Sequence, residues 1–132
     1  MALKPNYLEL NKLRNKIPNH GFYYPTLMKL SPAYQELAIS ARNLLYLMAI
    51  TAKYDWVKNE KHHRNNGRIG LPESEFIRYY GGAKQTYYNA REQLITNGLI
   101  KQTRQGGFGP GDYATYKLLF LSDVPKRERR WE

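Results

Sequence analysis

The sequence predicts an α+β domain: a helical N-terminal half followed by a small three-stranded antiparallel sheet that ends in a C-terminal hairpin. Three observations carry this. Apolar residues recur at three-to-four spacing in segments punctuated by proline and glycine. Two runs with strand-like alternation, Leu99 to Gln105 and Tyr113 to Leu121, are joined by a glycine-rich connection. The chain has 132 residues, 42% of them apolar, which suits one domain with a modest core.

Taken in order, residues 1–24 form an N-terminal arm with a short helix over Tyr7 to Ile17, and Phe22-Tyr23-Tyr24-Pro25 is an extended approach. The arm is rich in apolar residues, and it serves either as a dimerisation element or packs on its own domain. Ser31-Pro32 marks a helix start, because serine offers an N-cap oxygen and proline at the first helical position gives up an N–H that has no partner there. Ser40 opens the next helix, with Leu44, Leu45, Leu47 and Met48 on its buried face. Asp55 to Gly67 is polar and ends in Asn65-Asn66-Gly67, which reads as a loop.

Arg68 to Leu71 is a short strand. Pro72 with Glu73 and Glu75 starts a helix that Gly81-Gly82 ends. In the helix that follows, Tyr87, Ala90, Leu94 and Ile95 face inward, Lys84, Gln85, Tyr88, Asn89 and Glu92 face outward, and Asn97-Gly98 stops it. The connection from Gly106 to Asp112 is too long for a two-residue turn. In the last strand Tyr116, Leu118 and Phe120 belong to the core and Lys117 points out. The main domain covers residues 25–121, and residues 122–132 form a charged tail.

A net charge of +10, from 21 Lys and Arg against 11 Asp and Glu, directs the chain toward polyanions. The surplus is spread through the domain, because the basic residues of the tail are offset by Asp123, Glu128 and Glu132. The absence of cysteine excludes disulfides, zinc knuckles and thiol nucleophiles. No apolar run reaches the ~20 residues needed to span a bilayer, and the start has no signal-like core; the expected location is cytoplasmic, with no membrane partner.

Enzyme chemistry finds no support. There is no phosphate-cradling loop, no nucleophile motif and no paired carboxylates, and Tyr79-Tyr80 and Tyr87-Tyr88 lack the Arg, His or metal surroundings that a tyrosine nucleophile needs. His62 and His63 are adjacent and so point in different directions, which argues against a metal. With Lys58, Lys61 and Arg64 they form either a basic loop touching phosphate or a solvated charge run. No cofactor, metal or small-molecule effector is expected.

The motifs that carry a resemblance are Leu30-Ser31-Pro32-Ala33-Tyr34, Ser40-Ala41-Arg42, Asn66-Gly67-Arg68-Ile69, Leu71-Pro72-Glu73, Thr86-Tyr87, Ala90-Arg91 and Asn97-Gly98-Leu99-Ile100, followed by the glycine-rich tip. From about Phe22 to Leu121 the chain resembles the winged helix-turn-helix DNA-binding proteins of plasmids, phages and other mobile elements, both replication initiators and regulators. Gly82 departs from their pattern, which often has an apolar residue there, and a looser turn is expected.

The residues point the same way as the resemblance. A helix after a tight turn can enter the major groove with its first two turns against base edges, which selects Lys84, Gln85, Thr86, Tyr88 and Asn89. Lys101, Arg104, Gln105 and Lys117 are the expected contacts of the hairpin, or wing, with phosphates or a minor groove, and Arg68, at the end of the His62 to Arg68 loop, is a further expected DNA contact. Phe108 at the tip either wedges between bases or folds back. The expected partner is double-stranded DNA, read in transcription control or replication initiation. A protein-interaction module and a binder of single-stranded DNA or RNA are the alternatives.

Overall fold

The computed structural model describes residues 24–70, 73–106, 109 and 112–132. The Tyr7 to Ile17 helix, the arm it belongs to and the Phe108 tip lie outside them. The described residues form, in order, α1 (Thr26–Leu30), α2 (Pro32–Gln35), α3 (Ile39–Ala49), β1 (Tyr54–Val57), β2 (Glu60–His63), α4 (Glu73–Tyr80), α5 (Lys84–Thr96), β3 (Ile100–Arg104) and β4 (Thr115–Leu118), with a 3-10 turn at Lys126–Glu128. Among the described residues no helix is long and apolar enough to cross a membrane.

Ser31 joins α1 to α2. Its hydroxyl donates to Met28 O at 2.5 Å and accepts from Tyr34 N at 3.3 Å, so one serine ends one helix and caps the next with Pro32 at its first position. No element was expected over residues 26–30, where α1 stands. The central helix α3 buries Ala41, Leu44, Leu45, Leu47, Met48 and Ala49, and α5 packs across it with Tyr87, Ala90 and Leu94 inward. Side chains of α5 and its cap fasten it to the start of α3 and to α2. Gln93 Oε1 accepts from Ala38 N at 2.9 Å, and Asn97 Nδ2 donates to Ala33 O at 2.8 Å.

The expected three-stranded sheet is reduced. Strands β3 and β4 pair antiparallel, and the third segment joins through one antiparallel bridge, Ile69 to Tyr116, with N–O distances of 3.1 and 2.7 Å. Asn66 continues that alignment from its side chain, accepting from Leu118 N at 2.7 Å and donating to Leu118 O at 2.9 Å. The last strand is shorter than its sequence run: Leu119, Phe120 and Leu121 are all buried, so alternation stops at Leu118.

Between α3 and Ile69 the structure replaces the expected loop with a hairpin. Tyr54 to Val57 pairs with Glu60 to His63, and its two-residue turn uses Lys58 and Asn59, both at positive φ. The asparagines that read as turn residues close the base of this hairpin instead, Asn65 bonding to Lys53 N and Thr51 O. Two of the side chains expected on a basic loop there are engaged within the fold. His63 is buried, its ring Nδ1 2.9 Å from Asp123, while Arg64 is paired with Asp55 at 2.6 Å.

The C-terminal segment is not a free tail. Val124 and Trp131 are buried, and the Trp131 indole donates to Leu119 O at 3.0 Å. Gly98, at φ +77, ends α5 while Leu99 N bonds back to Leu94 O at 3.0 Å. Arg130 lies so close to Gly98 that a β-carbon there would stand 2.7 Å from its backbone. Residues 122–132 therefore seat against the α5–β3 corner.

Candidate nucleic-acid interface

The turn between α4 and α5 is set by two consecutive left-handed glycines, Gly81 at φ +77 and Gly82 at φ +90. A β-carbon on Gly82 would meet the Thr86 side chain at 3.1 Å. Thr86 is committed here: its hydroxyl accepts from Ala83 N at 3.3 Å, the back-reaching half of a capping box whose other half Ala83 cannot supply. Of the residues expected on the reading face, Thr86 therefore has a structural task, and it is only partly exposed.

The others stand outward in two stripes. Lys84, Tyr88 and Arg91 lie at i, i+4 and i+7 on the side toward the β3–β4 hairpin, and Gln85 and Asn89 lie at i, i+4 beside them. Lys84, Gln85, Tyr88 and Asn89 are all exposed, and Gln85 Nε2 donates to Asn89 Oδ1 at 2.8 Å. Lys84 stands 3.7 Å from Glu73, a weak exposed pair. The Arg91 guanidinium lies 5.0 Å over the Tyr88 ring.

Sequence reasoning passed over Arg91 as a site residue, although its position three after Tyr88 and seven after Lys84 marks the same stripe. It lines an open groove of about 480 Å³ between α5 and β3, together with Gln102, Thr103, Arg104, Gln105 and Gly106. Burial alone would ease the proton off its guanidinium. Tyr116 and Glu92 beside it outweigh that and hold it more firmly charged. Burial pushes the Tyr87 hydroxyl up, with the neighbouring Tyr116 adding to the shift.

The hairpin residues divide between its two faces. Arg104 and Gln105 border the groove with Arg91, and Arg104 is ion-paired with Asp112. Lys101 and Lys117 are register partners on the opposite face from the Gln102–Tyr116 pair. Lys117 points away from the core face of Tyr116 and Leu118, as expected, but it is half-buried there and bonded to both oxygens of Glu128 at 3.1 Å. Lys117, with Lys101 and Arg127 nearby, holds the Glu128 carboxyl below its usual range. Arg68 is exposed and turned back to Arg64 O at 2.8 Å, at the base of the first hairpin.

The structure thus brings Arg91 together with Arg104 and Gln105, and Tyr88 with Arg91 and Gln105, with Lys84, Gln85 and Asn89 exposed on the same helix, while Lys101 and Lys117 lie on the other face of the hairpin and Arg68 at the base of the first one. Among the described residues no group of three His, Asp or Glu is placed to hold a metal ion. Comparison with protein-family models, curated proteins and solved structures gave no match.

Proposed function

We propose that the chain is a sequence-specific double-stranded DNA-binding protein of the winged helix-turn-helix type, acting in transcription control or replication initiation of a mobile element. The observation that carries the reading is the exposed, mutually bonded pair Gln85 and Asn89 on the first two turns of α5, directly after a fixed glycine turn. Amide side chains so placed can offer a donor and an acceptor to an adenine edge. Lys84 and Arg91 beside them, and Arg104 across the groove, supply cations for the phosphates that flank those bases. With the β1–β2 hairpin taken as an insertion, the order α3, Ile69 segment, α4, α5, β3, β4 is the one a winged helix would have, and the Ile69 to Tyr116 bridge favours that reading.

The test is binding of a labelled duplex and of its separate strands across a salt series. Duplex affinity is expected to exceed single-strand affinity and to fall steeply with salt, and Lys84→Ala should reduce the salt slope by about one. Equal affinity for duplex and strands would favour a single-strand or RNA binder. An absence of binding at low salt would favour a protein-interaction module, for which the specific observation is the β1 strand, where Trp56 is 67% exposed beside Tyr54 and Val57.

A further inference from the structure

In the β1–β2 hairpin Trp56 is 67% exposed and Tyr54, two residues before it, 39%. Residues opposite each other in a hairpin share a face. Tyr54 opposes His63 and Trp56 opposes Lys61, so these four stand together, while Asp55, Val57, Glu60 and His62 stand on the other side. Charge is thereby sorted between the faces. Both carboxylates of the hairpin lie on the second one, where Asp55 is paired with Arg64 at 2.6 Å and Glu60 is 3.8 Å from His62. The ring face carries a cation and no carboxylate. Lys61 Nζ sits 4.0 Å over the Tyr54 ring, and that ring is perpendicular to the Trp56 indole, with centroids 6.3 Å apart. Lys53 before β1 and Lys58 in the turn are exposed at the two ends.

The base of this hairpin is fastened to the domain. Asp123 accepts from His63 N at 2.7 Å and is bonded to the His63 ring at 2.9 Å, while Asn65 bonds Lys53 N and Thr51 O at 2.8 and 2.9 Å. The rings are therefore presented with part of the ordering cost of binding already met by the fold. Charge complementarity selects what covers them. A protein surface laid over Trp56 would take the Lys61 ammonium out of water and would have to bring a carboxylate to it. A nucleic-acid strand brings a planar base and a phosphate at every residue, the pair of groups this face suits. Paired bases inside a duplex are already stacked on both sides, so the free ring face of Trp56 fits an unpaired one.

We propose that the Tyr54, Trp56 and Lys61 face of the first hairpin is a second nucleic-acid site that binds single-stranded DNA, an unpaired base stacking on the Trp56 indole and its flanking phosphates meeting Lys61 and Lys58. The choice of DNA over RNA rests on the duplex reading of α5, whereas the stacking site does not. Stacking of this kind accepts any base, so the hairpin adds affinity for an open strand without selecting its sequence.

Fluorescence anisotropy at low salt, with the full chain and a labelled thymidine octamer, tests this. An octamer with ribose sugars and an abasic octamer serve as the comparison strands. Trp56→Ala should weaken binding of the thymidine octamer about tenfold or more, the size of one lost base stack, and Trp56→Phe should recover part of it. Lys61→Ala should reduce the salt slope by about 0.7, the value of one phosphate contact on a single strand. The abasic octamer has the same phosphates and no bases, and it should bind the unmodified protein as weakly as the thymidine octamer binds Trp56→Ala. That comparison holds whether or not the variant folds, and the exposed position of Trp56 predicts an unchanged melting temperature. No octamer binding, equal affinity for the abasic strand, or undiminished binding by Trp56→Ala would overturn the proposal and leave Trp56 to a protein partner. Tighter binding of the ribose octamer would overturn the assignment to DNA. Duplex affinity should be unchanged in Trp56→Ala and is a separate readout, so failure of one reading leaves the other standing.

Discussion

Gln85 and Asn89 are bonded to each other across one turn of α5, the Gln85 amide donating to the Asn89 carbonyl oxygen at 2.8 Å. That bond couples the two amides and leaves the Asn89 N–H₂ and the Gln85 carbonyl oxygen outside it as one donor and one acceptor. The pair then acts as a unit, and the two alanine substitutions should not be additive. Gln85→Ala and Asn89→Ala are each expected to cost about 1–3 kcal/mol of discrimination at the same base. The double variant should cost little more than either, as a double-mutant cycle on selected and scrambled duplexes will show.

The α4–α5 turn depends on Gly82. Alanine there must adopt φ near +90 and also displace Thr86, whose hydroxyl caps the start of α5. Gly82→Ala should destabilise the fold by about 1–3 kcal/mol in urea unfolding. Loss of the turn geometry should weaken duplex binding beyond what the unfolded fraction accounts for.

The C-terminal segment is part of the core. Trp131 is buried and its indole is bonded to Leu119 O, so Trp131→Ala should cost roughly 3–5 kcal/mol. A free tail would give a change near zero in the same unfolding experiment.

Asp123 fastens the first hairpin to this segment. Its burial opposes the charge, but hydrogen bonds from His63 N at 2.7 Å and from the His63 ring, with the attraction of that ring, hold the carboxyl below its ordinary value of 3.8. A carboxyl with a depressed folded pKa stabilises fully above its unfolded value and loses that contribution as pH falls through the folded one. Asp123→Asn should therefore cost about 1–2 kcal/mol at neutral pH. The gap to the unmodified protein should close below about pH 4, which unfolding curves over a pH series will measure.

Much of the helical layout was legible because its signals are local. Ser31-Pro32, Gly81-Gly82 and Asn97-Gly98 mark helix ends through capping and left-handed backbone, and the 3.6 period of α5 sorts Tyr87 and Leu94 from Lys84 and Asn89. The β1–β2 hairpin was not legible, because its turn places Lys58 and Asn59 at positive φ without a glycine, and the Asn65-Asn66-Gly67 signal sits at its base. The tail misled through composition: its basic residues conceal Val124 and Trp131, whose burial depends on partners distant in sequence. Pairing hid the rest of the site, since Lys117 reads as a free cation until Glu128 is seen beside it, and Arg91 gains significance only from the hairpin across the groove.

The central claim is that α5 reads duplex sequence, and selection from a random duplex library at moderate salt tests it most directly. The account predicts an enriched motif whose preference at one position is lost in Asn89→Ala while overall affinity for unselected duplex is nearly kept. Failure to enrich any motif, with equal affinity for duplex and single strands, would contradict it.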